Sequence, residues 1–136
     1  MIAVAAVATA ERGDVERFYR TQLGRAVSLD PADEPLAARD DRAIVAAARL
    51  HHRAGTLVLR TMVVADGRRR TGIGTRLLDA VDRAIGGREC YCFPWAHLEH
   101  FYGRIGFRRV DLAAVPRALA DLLGDDCIPM RREARS

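Results

Sequence analysis

Leu59-Arg60-Thr61-Met62-Val63-Val64 is followed, a few residues on, by Arg68-Arg69-Arg70-Thr71-Gly72-Ile73-Gly74-Thr75-Arg76-Leu77-Leu78. The first stretch ends a run from Thr56 that is rich in Thr, Val and Leu, which predicts a buried strand over 56–64. The second leads into a helix expected from about Thr75 to Ile85. Ile73, Leu77, Leu78, Val81 and Ile85 share one face of it, and Gly86-Gly87 ends it. A strand, an arginine-rich glycine loop and a helix start thus stand in direct succession. The first N–H groups of a helix have no partner within it, and its dipole places partial positive charge there. Glycines admit close approach to that backbone, and guanidinium groups add forked donors. The combination predicts a cradle for phosphate.

Two familiar cradles are excluded. A Walker A loop needs Gly-Lys-Ser/Thr, and the chain has no Lys: all 22 basic side chains are Arg. A dinucleotide fingerprint needs a third glycine on the first strand–helix unit, whereas Gly72 and Gly74 are followed by Leu77 in mid-chain. The lack of Lys also removes Schiff-base and Ser-Lys chemistry.

Outward from this centre, residues 2–8 read as a first strand. The run is apolar, but it lacks a leading positive charge and is too short for a signal peptide. Thr9 is placed to cap a helix carrying Val15, Phe18, Tyr19 and Leu23 on one face, stopped by Gly24. Residues 28–35 form a loop with two prolines and the acids Asp30, Asp33 and Glu34, read as surface charges. A short strand is expected at Leu36–Arg39. Ala43–His51 could pass for helix by its alanines, but its length and its bounding Asp40-Asp41 and Gly55 favour strand. After the central helix come a short strand at Glu89–Phe93, a helix at His97–Ile105, a strand at Phe107–Val110 and a helix opened by Pro116. A last strand is expected at Ile128–Arg131, confined by Pro129 to an edge or bulge. This order predicts an α/β (α+β) fold with a mixed sheet.

The 136 residues suit one domain, 1–136, with a composition 49% hydrophobic and 29% charged. A net charge of +4 permits an anionic partner without naming it. A nucleic-acid binder would need a basic stripe with interleaved aromatics, but the arginines alternate with acids and aromatics are only 6%. No apolar run is long enough to span a membrane. Three cysteines, Cys90, Cys92 and Cys127, suit a reducing, cytoplasmic setting. Cys90-x-Cys92 with His97 and His100 is a poor zinc set by spacing, so no metal is expected.

Arg69-x-x-Gly72-x-Gly74, with Gly72 eight residues after Val64, resembles the acyl-CoA-binding motif of the GNAT superfamily of N-acetyltransferases. Phe101-Tyr102-Gly103-Arg104-Ile105-Gly106-Phe107 is similar to that family's second signature, an aromatic pair followed by Gly-Phe at a strand start. The resemblance covers nearly the whole chain in the right order. It implies a mostly antiparallel mixed sheet flanked by helices, with a V-shaped splay between the central strands. It also implies acetyl-CoA as co-substrate and a primary amine of a small molecule, amino acid or amine-like, as acceptor.

Carried over residue by residue, the resemblance places the pyrophosphate against the backbone of Arg70, Thr71, Gly72, Ile73, Gly74 and Thr75. Arg69 lies at the loop's base, and Arg68 or Arg70 reaches a phosphate. The pantetheine arm pairs with the backbone of Met62, Val63 and Val64, where an N–H also serves as oxyanion donor. Tyr102, five residues before Phe107, takes the general-acid position. The chain departs from the pattern twice. Trp95 stands where many relatives have Asn, and Cys90 where many have a catalytic Glu. The base is left open among Glu99, His97, His100 and water. A non-catalytic acyl-CoA-binding module is the alternative reading. Acceptor pockets of the family map to residues about 14–35 and 108–131, and open sheet edges allow a homodimer.

Overall fold

In the computed structural model, which describes residues 1–135, the strands are β1 (Ile2–Ala6), β2 (Glu34–Asp40), β3 (Ala43–Arg53), β4 (Thr56–Val64), β5 (Cys90–Cys92), β6 (Arg108–Arg109) and β7 (Met130–Arg132). The helices are α1 (Arg12–Leu23), α2 (Ile73–Ile85) and α3 (Glu99–Gly103). One seven-stranded sheet runs β1-β2-β3-β4-β5-β7-β6, and every pair is antiparallel except β4–β5. This is the mixed sheet expected from the element order, and the mostly antiparallel sheet flanked by helices that the family resemblance implies.

The alanines of β3 explain its packing. Ala46, Ala47 and Ala48 are all fully buried. Alternation along the strand sends Ala46 and Ala48 to the α2 side, with Leu36, Leu50, Leu57, Leu77 and Leu78, and Ala47 to the α1 side, with Val15, Phe18 and Tyr19. Small side chains let a helix approach closely on each face, so a strand of helix-forming residues is held as strand by its neighbours. A third cluster on the α1 side joins Val58 and Tyr91 to Val115 and Leu119 of the C-terminal segment.

Several expected elements differ in detail. β2 is longer than foreseen because it pairs on both edges, with β1 and β3. α2 begins at Ile73, two residues early, since Gly72 in the left-handed region acts as its N-cap. The helix expected over His97–Ile105 is a 3₁₀ turn, Ala96–Leu98, followed by the short α3. The helix expected after Pro116 is a 3₁₀ segment, Arg117–Leu122, which buries only Leu119. Thr9 is not a cap: it starts a 3₁₀ turn, Thr9–Glu11, without a side-chain cap bond. β7 lies inside the sheet, between β5 and β6. Pro129 precedes it, so its missing N–H costs no ladder bond and its carbonyl accepts from Val110 at 3.0 Å.

Asp33 corrects the reading of the 28–35 loop as surface. It is 4% exposed and accepts hydrogen bonds from Arg49 and His51, both at 2.8 Å, and from the Asp30 amide at 3.0 Å. Arg12 donates to its carbonyl at 2.9 Å. Burial opposes ionisation, but the hydrogen bonds from His51, Arg49 and Asp30 outweigh it, so the carboxyl titrates below its usual range. A depressed folded pKa contributes stability that is complete above the unfolded value, about 3.9, and is lost as pH falls through the folded value. Asp33→Asn leaves the partly buried Arg49 without its counter-charge. We expect it to lower stability by about 3 kcal/mol at neutral pH in urea unfolding, and the loss to shrink as pH drops below about 4.

Candidate functional site

β4 and β5 pair at Leu57–Cys90, Val58–Tyr91 and Leu59–Cys92, and then part. β4 runs on to Val64 while the chain after Cys92 turns away. The Ile128 amide bonds the Pro94 carbonyl at 2.9 Å, and Trp95 bridges to Cys127. β4 itself is interrupted by a bulge. Ala47 opposes Val63 and Arg49 opposes Arg60, so β4 carries one extra residue there. The bulge holds Thr61 at φ 53°, a left-handed conformation that is costly for a β-branched residue. The resulting splay exposes the β5-facing edge of Arg60 to Val64, including the backbone of Met62, Val63 and Val64.

The cradle lies at the end of that edge. The loop after β4 tightens with Arg68 N–H donating to the Ala65 carbonyl at 3.0 Å, and Thr71 Oγ1 donates to the Arg68 carbonyl. Arg70 and Gly72 both have positive φ, 64° and 85°. Left-handed residues alternating with Thr71, which is not left-handed, turn neighbouring N–H groups toward one side, as in anion-binding nests. The first helical bond, from the Arg76 amide to the Gly72 carbonyl, is 3.1 Å long. No side chain caps α2, which leaves the amides of Ile73, Gly74 and Thr75 for a ligand. A Cβ added at Gly74 would lie 3.6 Å from Val64 Cγ2 and 3.9 Å from Phe101 Cζ. The end of β4, the start of α2 and α3 therefore converge on Gly74.

The three arginines divide their roles. Arg68 pairs with Asp40 at 2.7 Å, which anchors the loop to the end of β2. Arg69 makes only an exposed pair with Asp66 at 3.3 Å, easily exchanged for another anion. Arg70 is exposed. The fit to a polyphosphate rests on uncapped amides, left-handed Gly72 and these movable charges.

On the other side of the splay stands Tyr102. It is 7% exposed and packs edge-on against Phe101 and Phe107, with ring centroids 5.1 and 6.4 Å away. Burial, with a smaller contribution from nearby Cys92, raises its pKa well above that of a free phenol. Met62, Val64, Leu98 and Phe101 pack around the same cluster. Tyr102, given the general-acid position by resemblance, thus shares an apolar cluster with Met62 and Val64 of β4.

The three base candidates lie elsewhere. His97, Glu99 and His100 are exposed and line an open groove of about 540 Å3 with Arg104, Arg108 and Arg109. His97 stacks on Trp95, and Glu99 lies 3.9 Å from Arg109. Cys90 and Cys92 are buried in the core, away from these histidines' exposed setting, and burial pushes the Cys90 thiol up to about 12. The two thiols are inert as nucleophiles at neutral pH.

The sequence reading passed over a polar group on the α1 face of the sheet. Arg49 and Arg60 are cross-strand partners on β3 and β4, and Arg49 donates to Thr61 Oγ1 at 3.3 Å. The Tyr19 hydroxyl is buried without a partner, close enough for Arg49 and Asp33 to act on it electrostatically. Arg60 is half-buried, and burial followed by the charges of Arg49, Arg53 and Arg25 lowers its pKa. A charge inside the otherwise apolar run 56–64 was the available signal.

Comparisons with known proteins agree with this geometry. Residues 31–109, more than half of the chain, match the model of the acetyltransferase (GNAT) domain. No curated protein sequence matches the chain significantly. Among solved structures, an acyl-CoA N-acyltransferase from Pseudomonas aeruginosa is similar at 22% identity and TM-score 0.71, covering 97% of this chain and 99% of that one. Escherichia coli ElaA is similar at 17% identity and TM-score 0.75, covering 98% and 100%. N-acetylglutamate synthase from Neisseria gonorrhoeae, solved with coenzyme A and N-acetyl-glutamate, is similar at 14% identity and TM-score 0.67, covering 100% of this chain and 36% of that one. The family match, the splayed sheet and the uncapped glycine turn between β4 and α2 lead to one conclusion: this chain belongs to the GNAT acetyltransferase family.

Proposed function

We propose that residues 1–136 form one catalytic domain that transfers an acetyl group from acetyl-CoA to a primary amine of a small molecule. The observation that carries this reading is the junction at Gly74, where an uncapped helix start, an unpaired strand edge and Tyr102's cluster meet. When bound, acetyl-CoA supplies the activated acetyl thioester. The amides of Arg70 to Thr75, with Arg69 and Arg70, receive its phosphates. The open edge of Met62, Val63 and Val64 takes up the extended arm as an added strand, and an N–H there polarises the reacting carbonyl. Tyr102 Oη gives its proton to the leaving thiolate, whose pKa resembles that of cysteine, about 8.5. With its own pKa raised, Tyr102 stays protonated throughout the working range.

The exposed settings of Glu99, His97 and His100 support deprotonation of the amine through water rather than by any of these groups. Among the described residues no helix is long and apolar enough to cross a membrane, which accords with the cytoplasmic location we infer. Neither nucleic acid nor membrane enters the reading. The outer strands β1 and β6 are where a second copy would pair to form a homodimer.

Three measurements test the reading. Calorimetry should show acetyl-CoA binding at micromolar strength. Gly74→Glu should abolish it without unfolding the protein, because a carboxylate in the first turn suits the helix dipole but repels phosphate. Binding by the variant equal to that of the parent would remove the cradle from the mechanism. Tyr102→Phe should lower kcat roughly 100-fold and leave acetyl-CoA affinity intact; an unchanged kcat would reduce Tyr102 to core packing. The pH profile of kcat/KM should rise as the acceptor's ammonium form loses its proton and show no falling limb from Tyr102 up to about pH 10. A second rising limb that vanishes in His97→Gln or His100→Gln would restore a histidine base.

A further inference from the structure

Arg60 holds an unusual position. It is the first β4 residue beyond the last β4–β5 pair, and so stands at the vertex of the splay. Its side chain lies on the face of Val58 and Tyr91, opposite the face covered by α2. Directly across the β3–β4 ladder is Arg49. Like charges at facing positions of an antiparallel pair repel, and burial strengthens the repulsion. Arg49 is neutralised by Asp33 at 2.8 Å, and nearby Arg53 pairs with Asp121 at 2.9 Å. Among the described residues no carboxylate pairs with Arg60. Its one hydrogen bond is a long contact to the Leu122 carbonyl at 3.5 Å. Arg25, in the loop between α1 and β2, acts on it electrostatically and likewise has no carboxylate partner among the described residues.

A half-buried guanidinium with spare donors, facing Arg49, Arg53 and Arg25 and offset only in smaller part by Asp121, is costly unless an anion completes it. The elements around it are the α1–β2 loop and the 3₁₀ segment Arg117–Leu122, which fall within the residues 14–35 and 108–131 expected to build the acceptor pocket. Arg60 is two residues upstream of Met62, roughly 7 Å along the strand, a reach that suits an acceptor whose amine meets the acetyl group at Met62–Val64. The cradle for the cofactor's phosphates lies beyond the C-terminal end of β4, past Val64, so those phosphates already have their donors.

We propose that the acceptor carries a carboxylate close to its amine, and that Arg60, assisted by Arg25, binds this carboxylate at the vertex of the splay. The acceptor class is thus amino acids or short peptides with a free carboxyl group, rather than polyamines or aminoglycoside-like polycations. This rests on the acyltransferase reading above. An arginine is suited to the task because its planar fork binds carboxylates through two parallel hydrogen bonds.

The test compares the parent with Arg60→Gln and Arg25→Gln. Each protein is first titrated with acetyl-CoA. Coenzyme A release is then followed with the free amino acids, their carboxamides and their decarboxylated amines. Thermal unfolding in the presence of each free amino acid supplies a readout independent of turnover. We expect the parent to acetylate, or be stabilised by, at least one acid and to discriminate against its carboxamide. We expect Arg60→Gln to raise KM for that acid roughly 10- to 100-fold, with acetyl-CoA affinity unchanged and the carboxamide unaffected. Arg25→Gln should have a smaller effect of the same kind. Arg60→Gln should fold at least as stably as the parent, since it removes the repulsion with Arg49. Equal use of acid and carboxamide, or an unaltered KM in Arg60→Gln, overturns the proposal. So does the absence of both turnover and thermal shift with every acid while acetyl-CoA still binds. Loss of acetyl-CoA affinity in Arg60→Gln would place the residue in the cofactor site and overturns it as well. Failure of the parent to bind acetyl-CoA is the distinct result that removes the acyltransferase reading itself.

Discussion

Every functional feature of this chain depends on two adjacent parallel strands that pair for three residues and then separate. Backbone N–H and C=O groups are rarely left unpaired in a folded protein, because an unsatisfied group costs free energy when buried. β4 nevertheless leaves its β5-facing edge open from Arg60 to Val64. Two local causes produce this. The extra residue in β4 puts Thr61 into the left-handed region and turns the strand. Beyond β5, Pro94 has no N–H to give, and its carbonyl and Trp95 are taken by the segment around Cys127 and Ile128. The strain at Thr61 is of the kind that persists only where the surrounding structure holds it in place.

The two faces of this opening differ in chemistry. The α2 face is apolar, with Leu57, Leu59, Cys90, Cys92 and Tyr102 in one cluster, a dry setting in which a phenol keeps its proton. The α1 face is polar around Arg49, Asp33, His51 and Arg60, with the α1–β2 loop folded over it. Alternation along β3 and β4 produces this division from side chains that are consecutive in the sequence.

The absence of Lys gives the molecule a particular style of cross-linking. Guanidinium groups reach several acceptors at once. Arg132, 2% exposed, donates to the Gly86 carbonyl at 3.0 Å and pairs with Asp82 at 2.9 Å, closing the end of α2 onto β7. Arg88 forks onto Glu34 while also bonding the Ala84 and Ile85 carbonyls. Against this background, Arg60 stands out because its neighbours supply no such partner.

Legibility followed the range of the forces involved. The strand over 56–64, the stop at Gly24, the apolar stripe of α2 and the glycine turn before it were plain in the sequence, because each depends on residues within one or two turns of chain. The aromatic pair and Gly-Phe signature around Tyr102 was legible through family resemblance. The split of the 97–105 helix, the 3₁₀ segment after Pro116 and the interior placement of β7 were not, because tertiary packing overrides propensity in short segments. Asp33 looked like one of three loop acids until β3 brought Arg49 and His51 against it. Glu99, His97 and His100 were close to Tyr102 in sequence, yet the turn of the chain sent them to another surface. By itself, then, the sequence determined the main strands, the stripe of α2 and the glycine turn before it, which rest on local periodicity and backbone chemistry, and its two motifs carried the resemblance to the family. Only the tertiary structure decided which charges are buried, where β4 loses its neighbour and which arginine is left facing another without a counter-ion, because these follow from pairings between residues far apart along the chain.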